Sequence, residues 1–483
     1  METRSASQIQ IDTRPLGLIL LSKSSRYFIF ILLGLITYYF FQKEPPTGLS
    51  VSGYRSIILF AGCVFLWVFQ LLPMPITGLL AIAAPPLFGV ASTKETFAFF
   101  GNETVFFILG VFILAAAMMK SGLSTRVALR LLRGSGKSPK KLLFRIMVTA
   151  TLLSFVISEH AVAAIMFPIA LEISRALEFE PEGGSYGRLL FMSMAWGCIV
   201  GGIATLLGSG RAPLSVGILS QMTGEKITFT QWTLATLPVV LLMFAAAYLM
   251  ITRYFRIDVE SVEPANQILL QKMKQQGKPS ATEWFISIIF LITILLWMKF
   301  GLQIGMAVIS IMAVVALFVF RVVSWKDLES YVNWGVFLMY GGAIAISSVM
   351  DKTGGGKWLA ELVVNSVGGS PLTVVVLFTF GALALTEAIS NSAVVAIMTP
   401  VAISVSSSLG IDPKGLTLLI ALASGLGNAL PMSTPAMAIA FSAGYFKLKD
   451  TLVPALMMSI ASVLALLLAG QYWWPFLGIH VIK

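Results

Sequence analysis

The sequence contains ISEHAVAAIMFPIA from Ile157 to Ala170 and ISNSAVVAIMTPVA from Ile389 to Ala402. Each phrase sets a short polar tip inside an apolar run. The tip reads Ser-Glu-His in the first copy and Ser-Asn-Ser in the second. This near repetition predicts that one local structure is built twice, and it decides the fold.

The two phrases belong to a longer repeat, whose copies are offset by the 232 residues that separate Ser158 from Ser390. An apolar composition can match Ala and Ile by chance, but it does not place glycines and Ser-Pro pairs at the same constant offset. We therefore interpret the repeat as an internal duplication. The offset also pairs Gly110 with Gly342, Lys120 with Lys352, Gly122 with Gly354, Gly136 with Gly368, Ser138 with Ser370 and Pro139 with Pro371.

The composition identifies the class of protein. Of the 483 residues, 57% are hydrophobic and 11% are charged, whereas a soluble domain carries about 25% charged residues. Apolar runs near the ~20 residues of a spanning helix recur along the chain. We therefore predict an all-α polytopic membrane protein, with the lipid bilayer as a partner. Cys63 and Cys198 both lie in apolar runs and predict neither a disulfide nor a metal site.

Basic residues predict the orientation. The net charge of +11 is concentrated in connecting segments, which argues against a nucleic-acid partner. Residues 120–145 contain eight Lys and Arg and no acid, so the positive-inside rule makes this segment cytoplasmic. We predict a cytoplasmic N-terminal segment (1–26), a first membrane half (27–252, tip 158–160), a cytoplasmic linker (253–283) and a second membrane half (284–483, tip 390–392). The predicted location is the plasma (inner) membrane.

The second copy lacks this basic bias. The counterpart of residues 120–145 carries Lys352 and Lys357 against Glu361, which predicts that it lies on the opposite side of the membrane. Equivalent segments on opposite sides indicate an inverted repeat. Inverted repeats are the architecture of secondary transporters, whose binding sites lie where broken helices of the two halves meet.

The repeated tips and the interruptions that follow them predict the site. Apolar flanks of about a dozen to twenty residues around each tip favour a re-entrant helical hairpin. The helix leaving each tip begins with unpaired N–H groups, which favour an anion. TLLGSGRAPLS (Thr205–Ser215) and NALPMSTPAMA (Asn428–Ala438) then break a helix in each half, as in transporters that bind ions. The alternatives are that the tips merely cap helices and that the breaks are packing kinks.

The second half carries a family resemblance. TEAISNSAVVAIMTPVA (Thr386–Ala402) and PMSTPAMAIAF (Pro431–Phe441) resemble the second S-N-T tip and T-P-P-N-like loop of the divalent anion/sodium symporter (DASS) family of dicarboxylate, citrate and sulfate carriers. The resemblance extends from about residue 50 to the end of the chain. It implies about eleven spanning helices, two hairpins, elevator-type movement and a homodimer.

The resemblance also implies which residues bind. In the family, tip residues hold the substrate carboxylates. Sodium is held by the tips together with backbone carbonyls of the broken helices. The loops that interrupt these helices correspond here to Gly208–Pro213 and Ser433–Met437. The substrate-binding residues so expected are Ser158, Glu159, His160, Arg211, Ser390, Asn391, Ser392, Thr434 and Pro435, and the sodium ligands are Ser158, Gly208, Ser390, Asn391 and Ser433.

Three charged or titratable residues depart from the family pattern. Glu159 and His160 stand where the first tip has Asn and Thr, and Arg211 lies in a loop that is otherwise neutral. An intramembrane charge is a functional-site hypothesis by default. We hypothesise that Arg211 supplies a tethered positive charge in or near the first sodium site, with Glu159 as its partner or a proton acceptor. His160 would face the anion or titrate with it. The alternative is an ion pair that only fixes the hairpin.

Together these features predict a secondary active transporter of small divalent anions such as succinate or malate, coupled to Na⁺. A sodium-independent or proton-coupled carrier or exchanger of sulfate or another oxyanion is the alternative, in which case no Na⁺ is used. An intramembrane enzyme is disfavoured because Ser158 and His160, two residues apart on a helix, do not face each other. A channel is disfavoured because duplicated hairpin tips suit alternating access better.

Overall fold

The computed structural model describes residues 16–181, 184–366 and 369–482. This part of the chain is helical, with one isolated bridge between Ile411 and Ile482, and the all-α prediction is confirmed. The predicted N-terminal segment up to residue 15, Gly368 of the repeat and Lys483 lie outside the described residues. The helices are α1 (Leu16–Phe41), α2 (Val51–Val68), α3 (Met74–Leu87), α4 (Thr93–Phe100), α5 (Glu103–Lys120), α6 (Leu123–Leu132), α7 (Pro139–Ser154), α8 (Glu159–Ala176), α9 (Ser185–Gly202), α10 (Arg211–Thr223), α11 (Phe229–Tyr254), α12 (Glu263–Gln275), α13 (Ala281–Phe300), α14 (Met306–Val319), α15 (Trp325–Tyr331), α16 (Trp334–Lys352), α17 (Gly355–Ser366), α18 (Pro371–Ala388), α19 (Asn391–Leu409), α20 (Pro413–Ala423), α21 (Pro435–Ser442) and α22 (Leu448–Leu468).

Many of these helices are apolar enough for a bilayer. Within the described residues, eight are long and apolar enough to cross a membrane, and three shorter apolar helices accompany them. The number of crossings, the re-entrant path of the hairpins and the domain boundaries stay predictions. Helix α1 begins inside the predicted N-terminal segment, and α12 lies within the predicted linker.

The helices repeat in the same register as the sequence. Helices α5 and α16 end at the paired lysines Lys120 and Lys352. Each is followed by a left-handed glycine, Gly122 with φ +78° and Gly354 with φ +80°, a conformation that lacks strain only in glycine. Helices α7 and α18 each begin at the proline of a Ser-Pro pair, because proline suits the first position of a helix.

Both polar tips are helix starts. Ser158 caps α8 by accepting a hydrogen bond from Ala161 N at 3.4 Å, and Ser390 caps α19 by accepting from Ala393 N at 3.3 Å. Serine is among the residues that best cap a helix N-terminus. The tips therefore form as local sequence requires, whatever they bind.

The breaks downstream also form in both halves. Helix α9 ends at Gly202 and α10 begins at Arg211; α20 ends at Ala423 and α21 begins at Pro435. We call the connection Ile203–Gly210 the first loop and the connection Ser424–Thr434 the second loop. Helices α9 and α20 are the most enclosed parts of the fold, with every residue buried over 189–202 and 415–423.

One helix of each predicted hairpin packs on a helix from the other half of the chain. Helix α8 of the first hairpin packs on α21, the helix after the second loop, and α19 of the second hairpin packs on α10, the helix after the first loop. Within each half, α7 packs on α9 and α18 packs on α20. This packing between the halves brings both tips and both loops to one place.

A buried ion pair fastens the end of the predicted linker to α6, which lies in the segment that the sequence predicts to be cytoplasmic. Arg126 of α6 donates from Nε to Glu283 Oε1 at 2.8 Å and from Nη1 to the Gly277 carbonyl at 2.8 Å. Both charged side chains are largely buried, so the pair anchors the end of the linker at the start of α13.

Candidate functional site

The starts of four helices surround one cavity of about 910 Å³. They are the starts of α8, α10, α19 and α21, two from each half of the chain. The polar residues that line the cavity from these starts and from the loops are Ser158, Glu159, His160, Ser209, Arg211, Ser390, Asn391, Ser392, Ser433 and Thr434.

The structure brings together the residues that the sequence singled out. Every residue expected to bind substrate lines the cavity, including Pro435. Of the expected sodium ligands, Gly208 is not among the lining residues, and its carbonyl accepts a hydrogen bond from Glu159 N at 2.8 Å. His160 is exposed to the cavity, whereas Glu159 and Arg211 are buried in its wall. The binding roles of these residues stay predictions.

Arg211 and Glu159 form a buried ion pair. Arg211 Nη1 lies 2.8 Å from Glu159 Oε1, and Nη2 lies 3.4 Å from Oε2. The side chains are only 2% and 5% exposed. Because Glu159 starts α8 and Arg211 starts α10, the pair joins the first tip to the first loop. It also keeps this wall of the cavity electrically neutral.

Asn391 connects the second tip to the same guanidinium. With its amide oriented so that each atom meets a complementary partner, Nδ2 donates to the Ser433 carbonyl at 2.5 Å and to Thr386 Oγ1 at 2.7 Å. In this orientation Oδ1 accepts from Arg211 Nη1 at 3.1 Å. Arg211 therefore contacts both tips, one from each half.

Glycines make room for the charged pair. A Cβ atom on Gly425 of the second loop would overlap the Arg211 guanidinium, and a Cβ on Gly202 would overlap the Glu159 carboxylate. Sequence reasoning missed both positions. Gly425 belongs to the Gly-Leu-Gly-Asn segment before the second loop's Asn428, and this dense glycine pattern was a usable signal for close approach.

Glu387 holds the second loop. Its carboxylate accepts hydrogen bonds from the backbone N–H groups of Asn428 (2.8 Å), Ala429 (3.2 Å) and Leu430 (3.0 Å). These are N–H groups that no helix satisfies, because α20 has already ended. The contacts place a negative charge beside the second loop.

Tyr340 of α16 is a cavity residue that the sequence did not reveal. Its hydroxyl lies 2.8 Å from Ser392 Oγ of the second tip, and a Cβ on Gly210 would overlap the same hydroxyl. Tyr340 thus contacts the second tip and the first loop from outside both hairpins. A tyrosine within an apolar run carries no mark of such a role.

Replacing Tyr340 by phenylalanine is expected to raise the KM for the anion that the sequence predicts as substrate about 2- to 10-fold, because one hydrogen bond contributes ~0.5–1.5 kcal/mol. The ring still fills its space, so thermal stability should change little. Initial uptake rates in proteoliposomes measure the effect. Ser348→Ala on the same helix is the control, since Ser348 Oγ donates only to its own helix, at Ile344 O. An unchanged KM would show that the Ser392 hydroxyl keeps its binding orientation without the hydrogen bond to Tyr340.

Discontinuous helices whose starts meet at a polar cavity inside an apolar helical protein define a membrane transporter. The chain belongs to the family described as the sodium:sulfate symporter transmembrane region, whose model matches residues 22–480. This confirms the family resemblance.

Named relatives agree with this class, and two solved structures have a similar fold. The chain is 28% identical to sodium-dependent dicarboxylate transporters SdcS of Staphylococcus saprophyticus (94% of this chain, 92% of the relative) and Staphylococcus aureus (93% and 91%). Its fold is similar to that of the Alcanivorax borkumensis YdaH transporter, with a TM-score of 0.51 at 14% identity over 76% of this chain and 85% of that one. It is also similar to Neisseria gonorrhoeae MtrF, from a class of antimetabolite efflux pumps, with a TM-score of 0.54 at 14% identity over 90% and 97%. At these identities the two structures support the fold alone.

Proposed function

We propose that the protein is a secondary active carrier that moves a small dicarboxylate, such as succinate or malate, together with Na⁺. The observation that carries this proposal is the convergence of four helix starts on one cavity. Each helix N-terminus acts as about half a positive charge and presents unpaired N–H groups to an anion. An apolar wall around such a site strengthens the attraction.

A ligand with two anionic ends suits two tips. The first tip offers Ser158 and the exposed His160, and the second offers Ser390 and Ser392. Ser209 Oγ is buried, lines the cavity and has no hydrogen-bond partner among the described residues, so its hydroxyl is free to donate to an anion. The naming of the relatives supports a dicarboxylate, whereas the family description supports sulfate as the competing substrate.

We place the sodium at the second tip, between Ser390 and Ser433. Asn391, the other expected ligand at this tip, already accepts from Arg211 Nη1 through its Oδ1. Asn428 Oδ1 of the second loop is buried and lacks a hydrogen-bond partner within the described part of the chain, and hard cations take oxygen ligands. The Glu387 carboxylate beside this loop adds a negative charge that favours a cation. Elevator-type movement, a homodimer, the plasma membrane and a cytoplasmic N-terminus complete the proposal, and the membership of a transporter family supports a carrier over an intramembrane enzyme.

Uptake of labelled succinate and sulfate into proteoliposomes tests the proposal. We expect saturable succinate uptake that requires external Na⁺, falls when choline replaces Na⁺ and is accelerated by unlabelled succinate inside. Competition between the two anions identifies the better substrate. Without Na⁺, uptake driven by a pH gradient would favour the proton-coupled carrier, and uptake driven by internal anion would favour the exchanger. Failure of both anions would refute the substrate class.

A further inference from the structure

We propose that the Arg211 guanidinium is a fixed internal cation that takes the place of a transported sodium ion at the first tip and joins the two tips around the anion. The inference rests on the proposed transport function, because it concerns the ions that accompany the anion. It follows that this protein couples transport to one sodium site fewer than a chain with two neutral tips would use.

The contacts of the guanidinium show that it bridges the two tips. A single atom, Arg211 Nη1, donates to Glu159 of the first tip and to Asn391 of the second tip. A cation that bridges both tips neutralises the carboxylate and holds the two helix starts together. These are the tasks of a bound metal ion at such a junction. The side chain is 2% exposed, so the charge is held without exchange into solvent.

The first tip does not fit a sodium ion while Arg211 is present. Ser158 Oγ caps α8, and the carbonyl of Gly208 accepts from Glu159 N. The remaining strong ligand, the Glu159 carboxylate, is paired with Arg211. A sodium ion beside it would lie close to the guanidinium, and like charges in a poorly solvated site repel strongly.

The second tip differs from the first in charge, although Ser390 Oγ also caps its helix. Among the described cavity-lining residues, the charged or histidine side chains are Glu159, His160 and Arg211, and all three belong to the first half. The second tip instead offers neutral oxygens, with the Glu387 carboxylate behind the loop. Room for the guanidinium comes from Gly425 of the second loop, so both halves are shaped around this one side chain.

The test removes the internal cation and asks whether sodium replaces it. Purified full-length Arg211→Ala is melted in detergent in NaCl and in choline chloride at equal ionic strength, without any anionic substrate. In choline chloride we expect Arg211→Ala to have a lower Tm than wild type. Added Na⁺ should raise the Tm of the variant in a saturable way, by several degrees more than it raises the Tm of wild type. In proteoliposomes, the ratio of labelled sodium to labelled anion taken up should increase by about one ion.

Two further variants make the result decisive. Glu159→Asn/Arg211→Ala removes both charges, so it leaves no unpaired carboxylate if the single variant does not fold, and it should show the same added Na⁺ response. Arg126→Ala is the matched control, since Arg126 forms a largely buried pair with Glu283, with side chains 10% and 5% exposed, and neither residue lines the cavity. It should lower Tm with no added Na⁺ response.

Each outcome separates this inference from the transport proposal. A folded Arg211→Ala or double variant whose Na⁺ response equals that of wild type would show that the pair only braces the hairpin, and would overturn the inference. The melting readout needs no substrate. It therefore decides the inference even if neither succinate nor sulfate is transported, and uptake by wild type decides the function separately.

Discussion

Replacing Glu159 by alanine is expected to lower the free energy of unfolding by about 3–5 kcal/mol, because it leaves Arg211 buried without its countercharge. Asn391 Oδ1 remains as a single neutral acceptor and compensates only part of the loss. The wall of the cavity also changes from neutral to positive. The anion should then bind more tightly and leave more slowly, so we expect both the KM and the maximal rate of uptake to fall.

Thermal unfolding in detergent and initial uptake rates measure these effects. The double variant Glu159→Ala/Arg211→Ala should lose clearly less stability than the sum of the single variants, since contacting residues are not additive. Lys137→Ala is the surface control. It breaks an ion pair with Glu263 whose lysine side chain is 73% exposed, and exposed pairs contribute little. Additive losses at Glu159 and Arg211 would contradict a direct pair.

Replacing Gly425 by alanine is expected to abolish most transport, although Gly425 itself does not line the cavity. The new methyl group would overlap the Arg211 guanidinium. Overpacking of a filled site typically costs ~1–3 kcal/mol. Relief of the overlap moves the guanidinium away from Glu159 and Asn391 and separates the two tips. We expect at least a tenfold loss of maximal uptake and a lower Tm.

Gly62→Ala provides the matched control for the glycine. Gly62 lies within α2 and has open space where a Cβ would be added, and alanine favours a helix over glycine by about 1 kcal/mol. Its uptake should equal that of wild type, with an equal or higher Tm. Normal transport by Gly425→Ala would mean that the guanidinium has room to shift. It would also show that transport does not require the contacts of Arg211 with both tips.

Local patterns determined much of the fold. The Ser-Pro pairs, the tip serines and the paired glycines each set a helix boundary through bonds within a few residues. A repeat of such signals is therefore readable without a structure. The membrane class follows from composition, and the tip and loop residues that line the cavity came from the two repeated phrases and the breaks after them.

Other features depend on parts of the chain that are far apart. That α8 packs on α21 and α19 on α10 is a consequence of how the halves interlock, and no local signal records it. The same packing places Gly425 against Arg211, and Tyr340 against Ser392. Such contacts arise from shape and distance between helices, which periodicity does not encode.

The sequence by itself determined that this protein is a duplicated, membrane-embedded helical chain with two polar tips and with three charged or titratable residues in the first tip and first loop region: Glu159, His160 and Arg211. These properties reside in residue types and short-range hydrogen bonds. Only the tertiary structure decided that Glu159 and Arg211 face each other at 2.8 Å, that Asn391 of the other half shares the guanidinium, and that His160 stays apart in the cavity. The physical reason is that electrostatic pairing depends on distance and burial, and both are set by packing between segments that are far apart in the chain: Glu159 and Arg211 are separated by 52 residues, and Arg211 and Asn391 by 180.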